Sequence, residues 1–361
     1  MAIIATKRKE ERSTKWNQFG TEFLPLWVAD MDFVICPEIR TALEDCLRNE
    51  TFGYTNTWPS LNQSVVSWCQ QQYQWEIESD WIVWTPGVAP AFMLTNQLFS
   101  QSQKSIVIPK PTYPPLLNSA KNLDLSHEFI PHYYQNGRWH LDFEKLEKLI
   151  QQRSISLASL ANPANPLGYC LTRDELIRLT SLCEENGVLI CSDEIHCDLI
   201  LDDMQHIPMG KIAPQNSITL MAASKTFNIA GLNTSFAIIP DQNIRQQFKM
   251  ASHQRNGSPS LLGFVATETA FTFGKSWLHE TKQYLRKNRE ILFNWGQEMK
   301  LCNHYLPSAT HLYWFKIPIQ KWIDQNVMPS NGADFGESGY SRINFACDSK
   351  LLIEAISRIS M

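Results

Sequence analysis

Five short apolar runs in this chain stop at residues for which an apolar core has no use. The run 218–222 ends in A-S-K-T-F-N, which sets Lys225 directly after an apolar strand. Desolvation there lowers an amine's pKa and makes it nucleophilic; a lysine snorkelling to the surface is the plain structural alternative. The run 188–191 ends in S-D-E-I-H, so Asp193 is a carboxylate that is costly to bury without a cation. That cation is either a structural Lys or Arg or a protonated heterocyclic nitrogen. Glu194 points the other way along the strand and reads as structural. The run 154–160 leads into A-N-P-A-N-P-L-G, where Asn162 and Asn165 either hold the turn or donate to a ligand oxygen. After 105–108 comes P-K-P-T-Y-P-P, a stiff loop in which Tyr113 either walls a slot for a flat ring or packs on the surface. After 81–84 comes T-P-G-V-A-P and then a helical stretch. Gly87, Val88 and Ala89 there form an ordinary turn or offer backbone N–H groups to an anion such as phosphate.

Each signal alone is weak, but the set is coherent. In an open parallel sheet, ligands bind beyond the carboxyl ends of the strands. Here those ends carry an anion-binding turn, an aromatic plate, an asparagine, a buried carboxylate and a buried lysine. These are the parts that hold pyridoxal 5'-phosphate: phosphate cradle, ring stack, donor to the ring oxygen, pyridinium partner and Schiff-base amine.

The elements that position these residues alternate. Strand-length apolar runs are separated by amphipathic stretches such as 141–152 and 172–186, the latter closing on Asn186-Gly187. That alternation predicts an α/β fold with a mostly parallel sheet, covered on both faces. Helices are expected at 37–49 and 60–74, and the pattern changes after 258, with helices at 258–273 and 275–300. Beyond 305 a short α+β unit is expected, with strands at 313–317 and 341–345 and a final helix at 351–359. The domains read as an N-terminal arm, 1–40, joining a small C-terminal α+β domain, 281–361, beside a large α/β domain, 41–280.

Composition narrows the class. The chain has 361 residues, 43% hydrophobic and 19% charged, which is globular. A net charge of -4 supplies no basic field for nucleic acid. The opening MAIIATKRKEERSTKW lacks the apolar core of a secretory signal, and no apolar stretch is long enough for a bilayer. The 9 cysteines are odd in number and form no C-x-x-C pair, which suits buried thiols in a reducing cytoplasm better than disulfides or a metal site; no metal is expected.

Seven segments then carry a resemblance: L-P-L-W-V-A-D-M-D-F at 24–33, F-G-Y-T at 52–55, P-T-Y-P-P at 111–115, N-P-A-N-P-L-G at 162–168, S-D-E-I-H at 192–196, A-S-K-T-F-N-I-A-G-L at 223–232, and D-F-G-E with R-I-N-F-A within 334–346. In this order they resemble the fold-type I pyridoxal-phosphate enzymes of the class I/II aminotransferase superfamily. Within it they are most similar to the bacterial cystathionine β-lyase/C–S lyase group related to the maltose-regulon modulator. The resemblance implies a large domain with a seven-stranded-type, mostly parallel sheet (the PLP-dependent transferase fold) and a smaller α+β domain. It implies that Lys225 attaches the cofactor, Asp193 pairs with the pyridine nitrogen, Asn165 and His196 lie by the ring hydroxyl, and Tyr113 stacks on the ring. The phosphate falls to Gly87, Val88, Ala89 and Ser224, with Tyr54 reaching in from a neighbouring subunit of a homodimer with shared sites. The substrate meets Arg342, Ala29, Asn165 and Tyr54, the arginine fork taking the α-carboxylate. His196 stands where most aminotransferases have Tyr, and Asn233 where many have a phosphate-binding Arg; the lyase group shares both. Tyr169 stands where Arg is commoner.

The function so implied is β-elimination from S-substituted cysteines, such as cystathionine, to thiol, pyruvate and ammonia, with Lys225, Asp193 and Tyr113 as catalytic residues. A class I/II aminotransferase on a small amino acid is the alternative with the same cofactor. A regulatory protein-binding role is the alternative of another class.

Overall fold

The structure, a computed structural model, describes residues 12–49, 51–152 and 154–360. The opening residues 1–11, on which the absence of a secretory signal and part of the arm were read, lie outside the described residues.

The strands are β1 (Leu24–Pro25), β2 (Ile82–Thr85), β3 (Ser105–Lys110), β4 (His127–Gln135), β5 (Arg138–Leu141), β6 (Ile155–Ala161), β7 (Leu189–Asp193), β8 (Ser217–Met221), β9 (Ser235–Ile238), β10 (Leu312–Phe315), β11 (Val327–Met328), β12 (Ser330–Asn331) and β13 (Ser341–Asn344). The large sheet runs β2-β9-β8-β7-β6-β3-β4-β5. It is parallel from β8 across to β4 and antiparallel at both edges, where β9 and β5 enter. The sheet therefore holds eight strands rather than the seven expected, because β5 folds back as a hairpin on β4 around Asn136-Gly137, both with positive φ.

Alternation along the strands shows why helices cover both faces. On β3, Ile106 and Ile108 join one apolar cluster with Ala91 and Phe92 of the Val88–Phe99 helix and Phe248 of the Gln242–Arg255 helix. Val107, between them, faces the opposite cluster, with Leu146 of the Phe143–Gln152 helix and Leu176 and Leu179 of the Arg173–Glu185 helix. That last helix opens with a capping box between Thr172 and Glu175.

A third cluster joins the helices Pro37–Asn49, Pro59–Tyr73, Leu261–Phe273 and Lys275–Glu298 to the C-terminal part. There, β10-β13-β12 form a small antiparallel sheet, and the Ser349–Ile359 helix follows. The N-terminal arm is stitched into this unit: β1 pairs with β11 in parallel, and Asn344 N–H donates to the Leu26 carbonyl at 2.8 Å. Lys15 and Asp32 form a buried ion pair at 2.8 Å within the arm. The residue expected to divide the two domains lies inside the continuous helix Lys275–Glu298.

Candidate active site

β2 and β8 both run antiparallel to β9, so they point the same way. The carboxyl ends of β2, β3, β6, β7 and β8 consequently share one edge of the sheet. A cleft of about 850 Å³ opens there, bounded by that edge, the N-terminal arm and the C-terminal unit.

β2 delivers to the cleft Gly87, the N-cap, and Val88 and Ala89, which open a twelve-residue helix. Amides in a first turn have no intrahelical acceptor and face a ligand with the positive end of the dipole. β3 delivers Tyr113, half-buried, through a loop pinned by Thr112 N–H donating to the Phe335 carbonyl at 3.2 Å. Burial and the nearby Asp193 hold the Tyr113 phenol above its usual pKa.

Beyond β6 the two asparagines part company. Asn162 belongs to the loop: its Oδ1 accepts from Leu171 N–H at 3.0 Å and its own N–H donates to the Asp193 carbonyl at 2.9 Å. Asn165 faces the cleft, and its Oδ1 accepts from Arg342 Nη1 at 3.0 Å. Gly168 closes this loop at φ +63, where a Cβ would come within 2.8 Å of Pro307.

At the end of β7, Asp193 Oδ1 accepts from Ile195 N–H at 3.1 Å, and burial pushes the carboxyl up to about 7. Glu194 turns away and is fully paired, to Ser192 Oγ at 2.9 Å, His206 Nε2 at 2.7 Å and Met209 N–H at 2.8 Å. His196 lines the cleft with a buried, unbonded Nδ1. Burial, then repulsion from Lys225 and Arg342, drive it down to about 3, so its ring is neutral.

β8 leads to Ser224 and Lys225. Lys225 Nζ donates to the Ala29 carbonyl of the arm at 2.8 Å. Burial lowers its pKa to about 8, against the pull of Asp30. Arg342, on β13, donates through Nη2 to the Trp27 carbonyl at 2.7 Å and to Ser330 Oγ at 3.1 Å, and lies over the Phe335 ring at 4.7 Å. Its Nε is buried without a partner, no carboxylate pairs with it among the described residues, and burial brings it down to about 10.

Tyr54 is fully exposed and lies in a separate hollow with Thr51, Asn56 and Trp58, away from this chain's own cleft. Asn233, which lines the cleft, takes the left-handed region at φ +46. Tyr169, unexplained from sequence, is a buried packing residue under the Arg138 guanidinium and against His132. Sequence reasoning missed Trp27 and Asp30, which act on Arg342 and Lys225 from within the W-V-A-D segment. An acidic residue inside so apolar a run was the available signal. Among the described residues no cluster of His, Cys, Asp or Glu could hold a metal ion, and no helix is long and apolar enough to cross a membrane.

Comparisons with known proteins bear on the family and the fold. The family description "Aminotransferase class I and II" matches residues 21–359. Cystathionine beta-lyase PatB of Bacillus subtilis is 33% identical, over 98% of this chain and 98% of its own. Cystalysin of Treponema denticola, solved with a pyridoxal 5'-phosphate cofactor, superposes with a TM-score of 0.92 at 30% identity, covering 99% and 98% of the two chains. A PLP-bound putative aminotransferase from Clostridium difficile 630 superposes with a TM-score of 0.93 at 34% identity, covering 99% and 97%.

Proposed function

The chain belongs to the class I and II aminotransferase family, and from that membership and the cleft we infer that it is a pyridoxal-phosphate-dependent C–S lyase, cleaving S-substituted cysteines to thiol, pyruvate and ammonia. The observation that carries this reading is the convergence of Lys225, Asp193 and Arg342 on one cleft, in a chain whose full-length relatives include cystathionine β-lyases.

The residues present fit the cofactor. Asp193 is a buried carboxylate whose ionisation is opposed until a cation faces it, which is what a protonated pyridine nitrogen offers. The His196 ring and Asn165 suit the ring hydroxyl, and Tyr113 is placed as a wall for the ring. The first-turn amides of Val88 and Ala89, at Gly87, with Ser224, supply phosphate donors. When bound, pyridoxal phosphate supplies an electron sink for the pair left on Cα.

The chain's own residues do the rest. Lys225 is the amine that would attach the cofactor; burial lowers its pKa to about 8, which raises the share of neutral amine available as a base. It takes the Cα proton. Arg342 holds the α-carboxylate, with Asn165 and the Trp27 carbonyl fixing the plane of its fork. The Cα–H and Cβ–S bonds break, the sulfur leaves with its electron pair and takes a proton, and water converts the released enamine to pyruvate and ammonium. Asp193 stays ionised and keeps the proton on the ring nitrogen. Ala29, whose carbonyl holds Lys225 Nζ, would border the substrate.

The reading includes a homodimer, supported by Tyr54, whose exposure outside its own cleft suits service in a second copy's. Free cysteines, all but Cys302 buried, support a reducing, cytoplasmic setting. A second reading, a class I/II aminotransferase, is favoured by the likeness to the putative aminotransferase. Pyruvate released from an S-substituted cysteine without added keto acid supports the lyase; strict keto-acid dependence rejects it.

A further inference from the structure

We propose that the outer half of this cleft selects cysteine thioethers with an uncharged, apolar sulfur substituent over those ending in a carboxylate, cystathionine included. The proposal deepens the lyase reading and rests on it for the chemistry, although the selectivity it describes is one of binding.

Of the four groups on Cα, Arg342 takes the carboxylate, Lys225 the hydrogen and the cofactor the amine, which leaves the fourth, the CH2–S arm, for the remaining wall. That wall is built by Phe19, Trp27, Ile319, Ile323, Met328 and Pro329, from the arm and from the segment leading into and out of β11. Phe19, Trp27, Ile319 and Ile323 are only half-buried, so this is apolar surface held open beside a polar site. Phe19 and Trp27 brace each other edge to face at 5.1 Å. The indole N–H of Trp27 is already given to the Lys15 carbonyl at 3.1 Å, so the ring offers a ligand no donor.

The charges point the same way. Among the described residues, the lysines and arginines lining the cleft are Lys225 and Arg342, and both are committed to cofactor and α-carboxylate. Lys15, behind Trp27, is buried and paired with Asp32. The charge on the outer wall is Asp334, an exposed carboxylate. Gln18 and Asn331 add neutral amides but no positive charge. A distal carboxylate laid here loses water, meets no cation among the described residues and shares the cleft with Asp334, while an alkyl or aryl group of the same length gains by leaving water. The distal ammonium of cystathionine has Asp334 to face, but its carboxylate has no counterpart among the described residues.

The test uses the holoenzyme in its natural assembly and two matched ligand pairs. L-Norleucine and L-2-aminoadipate differ in a terminal methyl or carboxylate and have no thiolate to expel, so calorimetry reads binding whether or not the chain is a lyase. The expected result is tighter binding of norleucine, by about tenfold or more, the scale of burying an unpaired polar group. S-Propyl-L-cysteine and S-(2-carboxyethyl)-L-cysteine, followed by pyruvate release, are expected to differ in kcat/KM in the same direction. Ile323→Arg, which adds a cation to the wall, is expected to narrow both gaps. Equal or tighter binding of 2-aminoadipate overturns the proposal, as it would if a second copy brought a cation into the cleft. Absence of pyruvate from every thioether, with norleucine still preferred, sinks the lyase reading and leaves the selectivity standing.

Discussion

Replacing Asp193 by Asn tests the electron-sink geometry while keeping volume and shape. Burial raises the Asp193 carboxyl from 3.8 to about 7, so ionising it in the empty cleft costs about 4 kcal/mol at 1.36 kcal/mol per pKa unit. A protonated ring nitrogen facing it offsets that cost, and the same coupling keeps the nitrogen protonated. An amide supplies none of it, so kcat for pyruvate release is expected to fall by about a thousandfold, the rate equivalent of that energy. The cofactor-free protein should respond oppositely. A carboxyl with a raised folded pKa binds more protons folded than unfolded, so its contribution to stability falls as pH rises from about 4 to about 7. The difference in unfolding free energy between Asp193→Asn and wild type, followed by urea titration across that range, should therefore grow in favour of the variant and level off above it. Turnover within threefold of wild type, or a difference curve flat in pH, refutes the reasoning.

Other outcomes follow from the same cleft. Arg342→Lys keeps a charge but loses the fork held by Asn165 and the Trp27 carbonyl, so kcat/KM is expected to drop by about 100-fold, roughly two charge-assisted hydrogen bonds at the low end of their range; a change under threefold counts against Arg342 as the carboxylate site. Lys225→Ala should remove the visible absorbance of the attached cofactor, and an unchanged spectrum is incompatible with its role. If Tyr54 serves the cleft of a second copy, inactive Tyr54→Ala and Lys225→Ala proteins, unfolded and refolded together, should regain part of the wild-type activity through hybrid dimers; no recovery argues against shared sites.

Much of the site was legible because an apolar strand that stops at Asp, Lys or Asn announces its carboxyl end, and parallel strands put such ends on one edge. β3, β6, β7 and β8 were readable for that reason. β4 was not: it carries Pro131 and two histidines, alternates between half-buried and exposed, and lies near the edge where pairing rather than hydrophobicity defines it. β9, four residues long, follows a left-handed Asn233 and had no length from which to show a period. Arg342 entered only through the family resemblance, since its partners come from positions 27, 165 and 330 and no local pattern joins them. N-P-A-N-P presents the two asparagines alike, so the residues alone did not separate them; the family resemblance pointed to Asn165, and the fold sends Asn162 to the loop and Asn165 to Arg342.

The most direct measurement is borohydride reduction of the purified, cofactor-loaded protein, followed by proteolysis and peptide mass spectrometry. A single modified peptide is expected, with the mass of a pyridoxyl phosphate fixed on the amine of Lys225. Modification at another lysine, or loss of all cofactor on denaturation after reduction, contradicts it.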